Sequence, residues 1–272
     1  MKLKPYFYLI ILFIISSCNT FISQNEFSLT ESLNNVENTN LINKNNLTIY
    51  TKYRTVNGFT RIKPSSDFEI FLNNLPLKAD KLSAKLYDGT IKLNKDSYAG
   101  IIDLPQFESN IQFHSNAIIR LRAEYYFKNK MYDKIDFKSK SNSAIESYLQ
   151  YSKGDYSYKK FNSYLEYLLF NITPSTINHM LEPIKIKEIK IGDVFIQRSN
   201  TKSHAAIVVD VAQNIKNEKI FILAQSYYPS QDIQIITNPL NEDISPWFNA
   251  KEGTILTPEW RFMSSDIMRF ID

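Results

Sequence analysis

The stretch from residue 191 to 232 constrains the fold more than any other part of this chain. A Gly-Asp turn pattern precedes the apolar run Val194–Ile196, which predicts a short strand. Two longer runs, 203–211 and 220–226, are rich in β-branched and aliphatic residues and are separated by a polar turn. They predict an antiparallel hairpin. Because both of its faces are apolar, we expect it to lie buried in the centre of a sheet.

The ends of this hairpin carry polar side chains. His204 begins the first run, and Gln225 and Ser226 end the second, so antiparallel pairing brings these ends side by side. A titratable group at the entrance of a buried strand is a common way to hold a general base, which makes His204 a candidate catalytic residue with Gln225 or Ser226 as its partner. A structural histidine that bonds a backbone carbonyl fits the pattern equally well. Strict alternation would place Asp210 on the same face, at a distance of roughly 20 Å along the strand, too far to orient the imidazole.

The longest helical pattern begins at a capping box, Ser109–Gln112. The positions that follow at helical spacing, and that predict one buried face, are His114, Ala117, Ile118, Leu121 and Tyr125. This places His114 in the second turn of the helix, where a core histidine bonded to a local group is the simplest interpretation. Arg120 and Glu124 are spaced to form an ion pair on the helix.

Weaker patterns predict further elements before and between the central hairpin and the helix after Ser109. They are strands at 47–56 and 98–104, helices after the capping box at Ser66 and at 158–170, and a mostly irregular segment at 128–160. Together these patterns predict an α+β domain with a mainly antiparallel sheet packed against a central helix.

The N-terminus predicts a secreted, lipid-anchored protein. A short basic segment is followed by the apolar residues 5–15, which are too few to cross a bilayer, and then by small residues before Cys18, the sole cysteine. The Ile-Ser-Ser-Cys sequence resembles the lipobox of bacterial lipoproteins, in which the cysteine is lipidated. The predicted organisation is a signal peptide at 1–17, lipidated Cys18 with a flexible tether at 18–46, and one domain at 47–272. We therefore expect attachment to a membrane of the bacterial cell envelope, facing the periplasm or the cell surface.

Composition excludes several function classes. The formal charge is +4, and acidic and basic residues are interspersed, so the chain lacks the basic footprint of a nucleic-acid-binding protein. No glycine-rich phosphate loop and no Cys/His metal cluster occurs in the sequence, so we expect no cofactor.

Several short motifs, taken in order, resemble the DUF4846 family of uncharacterised secreted or lipid-anchored bacterial proteins. They are Arg120–Tyr125, Gly192–Ile196, His204–Ala212, Leu223–Tyr227, Pro229–Asp232, Ser245–Trp247 and Thr257–Trp260. The resemblance covers most of residues 50 to 270, but the family implies no established activity.

A more distant likeness is to NlpC/P60 and other papain-like domains. In these domains a cysteine near a helix start is followed by a Gly-Asp strand and by a strand that opens with histidine, and Gly192 and His204 match the latter half. The resemblance implies a papain-like fold and a thiolate stabilised by the helix dipole and by its histidine partner. In DUF4846 relatives it also implies a Gln-Cys-Ala-Asp-Ala segment before Arg120. Here the corresponding segment is Phe-His-Ser-Asn-Ala, so His114 stands at the cysteine position.

These patterns leave three functional hypotheses open. The first is a hydrolase of envelope peptides with His204 as base, Gln225 and His114 as further catalytic residues, and Ser115 or a water as nucleophile. The second is a non-catalytic domain that binds envelope peptide or glycan, such as peptidoglycan. The third is a metal site built from His114 and His204. The candidate binding residues are Ser115, Asp193, Ser226 and Asp232. Because the thiol is missing from the family position, we expect binding rather than catalysis.

Overall fold

The computed structural model describes residues 41–44, 47–137, 145–172, 176–198 and 203–271. They belong to one compact unit, Leu41–Asp272, and one hydrophobic core extends through it from Ile49 to Phe270. Residues 1–40, which include Cys18, the predicted signal peptide and most of the predicted tether, lie outside the described residues. In the part of the chain described, no helix is long and apolar enough to cross a membrane.

A mainly antiparallel sheet forms the centre of the domain. Its strands are β1 (Phe59–Arg61), β2 (Tyr98–Ile101), β3 (Leu181–Pro183), β4 (Val194–Arg198), β5 (Ser203–Asn214), β6 (Lys219–Gln225), β7 (Gln234–Ile236), β8 (Trp247–Asn249) and β11 (Ile267–Phe270). Their order is β2-β7-β6-β5-β4-β11-β3, with β1 against β5 and β8 against β6. Every pairing is antiparallel. A separate pair is formed by β9 (Thr254–Leu256) and β10 (Arg261–Met263).

The predicted hairpin is confirmed as β5 and β6, and β4 is the short strand expected before it. The register of β5 and β6 shifts between Val208 and Asp210, because Val209 is an extra residue in β5. A bulge of this kind turns the following side chains to the other face. The prediction that Asp210 shares a face with His204 is therefore wrong. Asp210 instead accepts a hydrogen bond from Arg61 Nε in β1 at 2.7 Å.

Helices pack on this sheet and on one another. They are α1 (Ile49–Lys52), α2 (Asp67–Asn73), α3 (Ser115–Lys128), α4 (Tyr148–Ser152) and α5 (Tyr158–Asn171). Both α2 and α3 contact β5, so the central helix lies against the central hairpin as expected. The coarse prediction of an α+β fold with a mainly antiparallel sheet is confirmed. The predicted Arg120–Glu124 ion pair is also present, with 3.5 Å between Nε and Oε1.

Two predicted element boundaries are wrong. The capping box at Ser109 does not start α3, because its polar groups form hydrogen bonds with a distant part of the chain. Gln112 N donates to Ser230 Oγ at 3.0 Å, and Asn110 Oδ1 accepts from Ser230 N at 2.7 Å. The helix begins at Ser115 instead. The strand predicted at 47–56 is interrupted by α1, which is capped by the Thr48 side chain.

Candidate functional site

The N-terminus of α3 meets the start of β5, and each contributes one histidine. His114 is the N-cap residue of α3, a 14-residue helix, but its side chain makes no capping hydrogen bond. The imidazole instead faces His204, with 2.6 Å between the two Nδ1 atoms. His204 is buried and His114 is half-buried. The structure therefore joins two histidines that lie far apart in the sequence.

The backbone of His114 adopts an unusual conformation, with φ 52° and ψ −126°. Positive φ is uncommon for residues other than glycine and tends to occur where surrounding contacts hold the backbone at functional sites. Here His114 N donates to Ser226 O at 3.2 Å, which ties the turn to the segment after β6. The Asn116 side chain donates to Ile111 O at 2.8 Å and to Leu169 O at 3.1 Å, which fixes the other side of the turn.

A chain of hydrogen bonds extends from His204 into the protein. His204 Nε2 lies 2.7 Å from Gln225 Oε1, and Gln225 Nε2 donates to Glu259 Oε2 at 2.9 Å. Lys92 Nζ donates to the same Glu259 oxygen at 2.8 Å. We call His114, His204, Gln225, Glu259 and Lys92 the relay. Register explains the His204–Gln225 contact: Ile207 pairs with Ala224 at the open end of the hairpin, so Gln225, one residue further along β6, lies on the face that carries His204.

The relay determines which nitrogen of each imidazole carries the proton. Glu259 Oε2 also accepts from Lys92 Nζ, so the Gln225 amide directs its NH₂ group to that oxygen and its own oxygen to His204. Neutral His204 then carries its proton on Nε2 and presents an unprotonated Nδ1. His114 must donate its own Nδ1–H to that atom. The Nε2 atom of His114 is thereby left with a free lone pair at the end of the relay.

Both imidazoles are neutral near neutral pH. Burial lowers the pKa of His204 to about 3, and the hydrogen bond from its Nε2–H to Gln225 only partly offsets this effect. Burial also lowers the pKa of His114, to about 4. A free lone pair of such low basicity accepts hydrogen bonds but is a weak proton acceptor and a weak nucleophile.

Five aromatic rings lie around the two imidazoles: the buried Phe262 stacks on His204 at 5.6 Å, and the other four reach the surface and are called the aromatic rim. Tyr227 lies edge-on to both histidines, with ring centroids 5.7 Å from His114 and 5.0 Å from His204. Phe113 packs edge-on against His114 at 5.4 Å and against Tyr228 at 5.6 Å. Trp260 lies 5.2 Å from His204. Tyr228 is 57% exposed, and the other three rings are half-buried, so the rim offers ring surface to a ligand.

Two overlapping segments of the chain, 49–156 and 146–269, match the family model described as Domain of unknown function (4846). Together they cover well over half of the chain. The chain belongs to the DUF4846 family. No curated protein and no solved structure matches the chain.

Within this DUF4846 domain, the candidate binding residues from the sequence lie in different places. Ser115 follows His114 directly and is buried. Ser226 is also near the site, where its hydroxyl faces the carbonyl oxygens of Gln112 at 2.6 Å and Gln231 at 2.8 Å. The two aspartates serve other contacts. Asp193 binds Arg269 Nε at 2.8 Å, and Asp232 binds Lys78 Nζ at 2.8 Å.

Sequence analysis missed two relay residues of the DUF4846 domain. Glu259 lies within the Thr-Pro-Glu-Trp motif, so its position in a family motif was an available indication. The sequence offers no such indication for Lys92, because no neighbouring residue distinguishes a buried lysine from an exposed one. Its second partner is Gln234 Oε1 at 2.9 Å, and burial lowers its pKa while Glu259 acts in the opposite direction.

The hypothesis of a metal site has little support in the geometry. Within the described residues, no group of three or more His, Cys, Asp or Glu side chains is arranged to hold a metal ion. His204 uses both ring nitrogens in hydrogen bonds to His114 and Gln225. A metal could therefore bind His204 only by breaking one of these bonds.

Proposed function

We propose that this DUF4846 protein is lipid-anchored in the bacterial cell envelope and that its domain binds an envelope peptide or glycan around His114 without turning it over. One observation carries the proposal. His114 occupies the position beside His204 where a nucleophile would be expected, and the relay leaves its Nε2 atom to accept a hydrogen bond rather than to react. The aromatic rim adds ring faces of the kind that pack against sugar rings and apolar side chains.

We further propose that the domain is papain-like. Three features support the proposal: a helix N-terminus facing a histidine at the start of a strand, a mainly antiparallel sheet, and an amide side chain on the far nitrogen of that histidine. In hydrolases built on this plan the helix N-terminus holds a thiolate. Here the sole cysteine is Cys18, which precedes the domain.

The protonation pattern of the relay supports binding over catalysis. A hydroxyl nucleophile needs a base with a free lone pair beside it. The Nδ1 lone pair of His204 already accepts the His114 proton, so it is not directed at Ser115. With a pKa of about 4, His114 itself is a poor base at neutral pH.

The alternative is a hydrolase in which His204 acts with a nucleophile other than cysteine. The observation in its favour is the relay itself, because Gln225, Glu259 and Lys92 orient His204 as a third group orients a catalytic base. Incubation of the 41–272 domain with peptidoglycan peptides separates the two functions. Turnover that disappears in His204→Ala would establish the hydrolase and overturn the binding proposal.

Removal of the His114 imidazole is expected to weaken ligand binding by the 41–272 domain. Loss of one hydrogen bond corresponds to about 1 kcal/mol, or roughly a fivefold increase in the dissociation constant. Calorimetric titration of His114→Ala with soluble peptidoglycan fragments measures this change. The matched control is His179→Ala, since His179 is an exposed histidine outside the relay. Equal affinity of the two variants would contradict a role for His114.

Lipidation is expected to be specific to Cys18, because no other cysteine exists in the chain. Cells expressing the full chain are labelled with a palmitate analogue, and the protein is then isolated and tested for label. We expect label in the wild type and none in Cys18→Ser. Label that persists in the serine variant would disprove the anchor.

A further inference from the structure

A basic surface with exposed apolar side chains lies where the chain enters the domain. One groove is lined by residues that include Ile42, Lys44, Lys81 and Lys95. A second groove shares Lys81 and Leu82 with the first and extends the surface to Leu47, Lys85 and Ile91. We call this the entry surface and define it by residues Lys44, Leu47, Lys81, Leu82, Lys85, Ile91 and Lys95.

The lysines of the entry surface are available to a ligand. Lys44, Lys81, Lys85 and Lys95 are all exposed, and none of them forms an ion pair within the described part of the chain. Of the two acidic residues that line these grooves, Asp80 is already paired with the buried Lys52. The other is Asp103, so the surface carries an excess of positive charge.

The same surface exposes aliphatic side chains. Leu47 is 55% exposed, Leu82 49% and Ile91 53%. Exposed aliphatic residues that occur singly need no explanation, but a group of them bordered by lysines is typical of surfaces that bind membranes. Lysines meet the anionic headgroups, while leucine and isoleucine enter the boundary between headgroups and acyl chains.

We infer that the entry surface docks on an anionic phospholipid bilayer. Charge complementarity and the aliphatic side chains select this occupant, and the place where the chain enters supports it. Ile42 and Lys44 line the first groove, so the segment that leads back to Cys18 starts at this surface. If the proposed lipid anchor is present, the segment from Cys18 to Leu41 extends at most about 85 Å, which keeps the entry surface within reach of the membrane.

Docking of the entry surface on a membrane leaves the relay intact. Lys92 lies between Ile91 and Leu93 but is buried, and it donates to Glu259. The segment therefore presents aliphatic side chains on its outer side and a relay residue on its inner side. Exposed lysines of the entry surface can be replaced without changing any relay contact.

The test uses the 41–272 domain, which contains the whole described core and no lipidated residue. Co-sedimentation is measured with vesicles of equimolar phosphatidylglycerol and phosphatidylcholine and with vesicles of phosphatidylcholine alone. We expect binding to the anionic vesicles that weakens as salt is added. Replacing Lys44, Lys81, Lys85 and Lys95 together by glutamate is expected to reduce the partition coefficient at least about 100-fold, since each lysine near such a surface contributes roughly a factor of five.

The matched control carries the same change in charge at other exposed positions. It replaces Lys159, Lys187, Lys216 and Lys251 by glutamate, and we expect it to retain most of the binding. Equal loss in both variants would show a general charge effect and overturn the inference. Equal binding to both kinds of vesicle would also overturn it. Because neither measurement involves Cys18 or a peptidoglycan ligand, either failure is distinguishable from failure of the proposed function.

Discussion

Replacing His114 by cysteine is expected to create a reactive thiol in a domain that has none. In the 41–272 domain the new side chain would be the sole cysteine. Its sulfur would lie at the N-terminus of a 14-residue helix, beside Nδ1 of His204. The helix N-terminus stabilises a thiolate directly, and Nδ1 of His204, which no longer accepts from His114, takes up the thiol proton to form a thiolate–imidazolium pair. We therefore expect the thiol pKa to fall from about 8.5 into the range of roughly 5 to 7.

Alkylation by iodoacetamide near pH 6 measures the effect of this change. A lower pKa increases the thiolate fraction about 100-fold but also reduces the nucleophilicity of each thiolate, so we expect a net rate increase of about tenfold over a free thiol. The matched control is Asn129→Cys, which places a cysteine at the opposite end of the same helix. The double variant His114→Cys/His204→Ala is expected to lose most of the increase. Similar rates for all three variants would contradict the proposed geometry.

This substitution also tests the papain-like proposal. If the domain keeps the arrangement of a cysteine hydrolase, His114→Cys is expected to gain slow turnover on the peptide that the wild type only binds. The positive φ of position 114 is borne by a residue with one unbranched Cβ substituent, and cysteine carries a substituent of the same kind.

The central hairpin could be predicted from sequence because its runs of β-branched and aliphatic residues are long and uninterrupted. The partner of His204 could not be chosen between Gln225 and Ser226, because a hairpin that is apolar on both faces does not fix its own register. The structure selects Gln225 at 2.7 Å. The bulge at Val209 turns Asp210 to the opposite face, and the residue pattern does not indicate it.

The position of His114 shows a different limit of prediction from local sequence patterns. The capping box at Ser109 and the apolar spacing placed it inside a helix, where it would be a core residue. Contacts with residues 230 and 231, more than a hundred positions further along the chain, hold Gln112 outside the helix. His114 therefore becomes the N-cap residue, which is what brings its side chain to His204. Local propensity cannot reveal such a contact, and the same holds for Lys92.

Acidification is expected to lower the free energy of unfolding through the two relay histidines. Their pKa values in the folded protein, about 3 for His204 and about 4 for His114, lie below the ordinary value near 6.5. The unfolded chain therefore binds more protons in the window between these values. The stabilisation is fully present above about pH 6.5 and is lost as the pH falls through that window.

The size of this loss depends on burial. When only the unfolded state binds the proton, each histidine lowers the free energy of unfolding by about 1.4 kcal/mol per pH unit of acidification. The buried His204 alone therefore accounts for a decrease of roughly 2 to 3 kcal/mol between neutrality and about pH 4.5. The half-exposed His114 contributes less, since solvent screens its charge and its Nε2 atom can take up a proton without breaking the Nδ1–H bond to His204. A combined loss of about 3 kcal/mol is a large part of the stability of an ordinary domain.

Other groups titrate in the same window, so the histidine contribution must be isolated by difference. Burial raises the pKa of Asp210 to about 6, which has the opposite sign: this group stabilises the folded state further as the pH falls from about 6 towards 4. We therefore compare urea unfolding of the wild-type 41–272 domain with that of His114→Gln/His204→Gln at several pH values. The double variant keeps Asp210 and is expected to lose stability less steeply on acidification, by about 3 kcal/mol over the whole range. Parallel curves for the two proteins would show that the imidazoles are not held neutral and would remove the protonation pattern assigned to the relay.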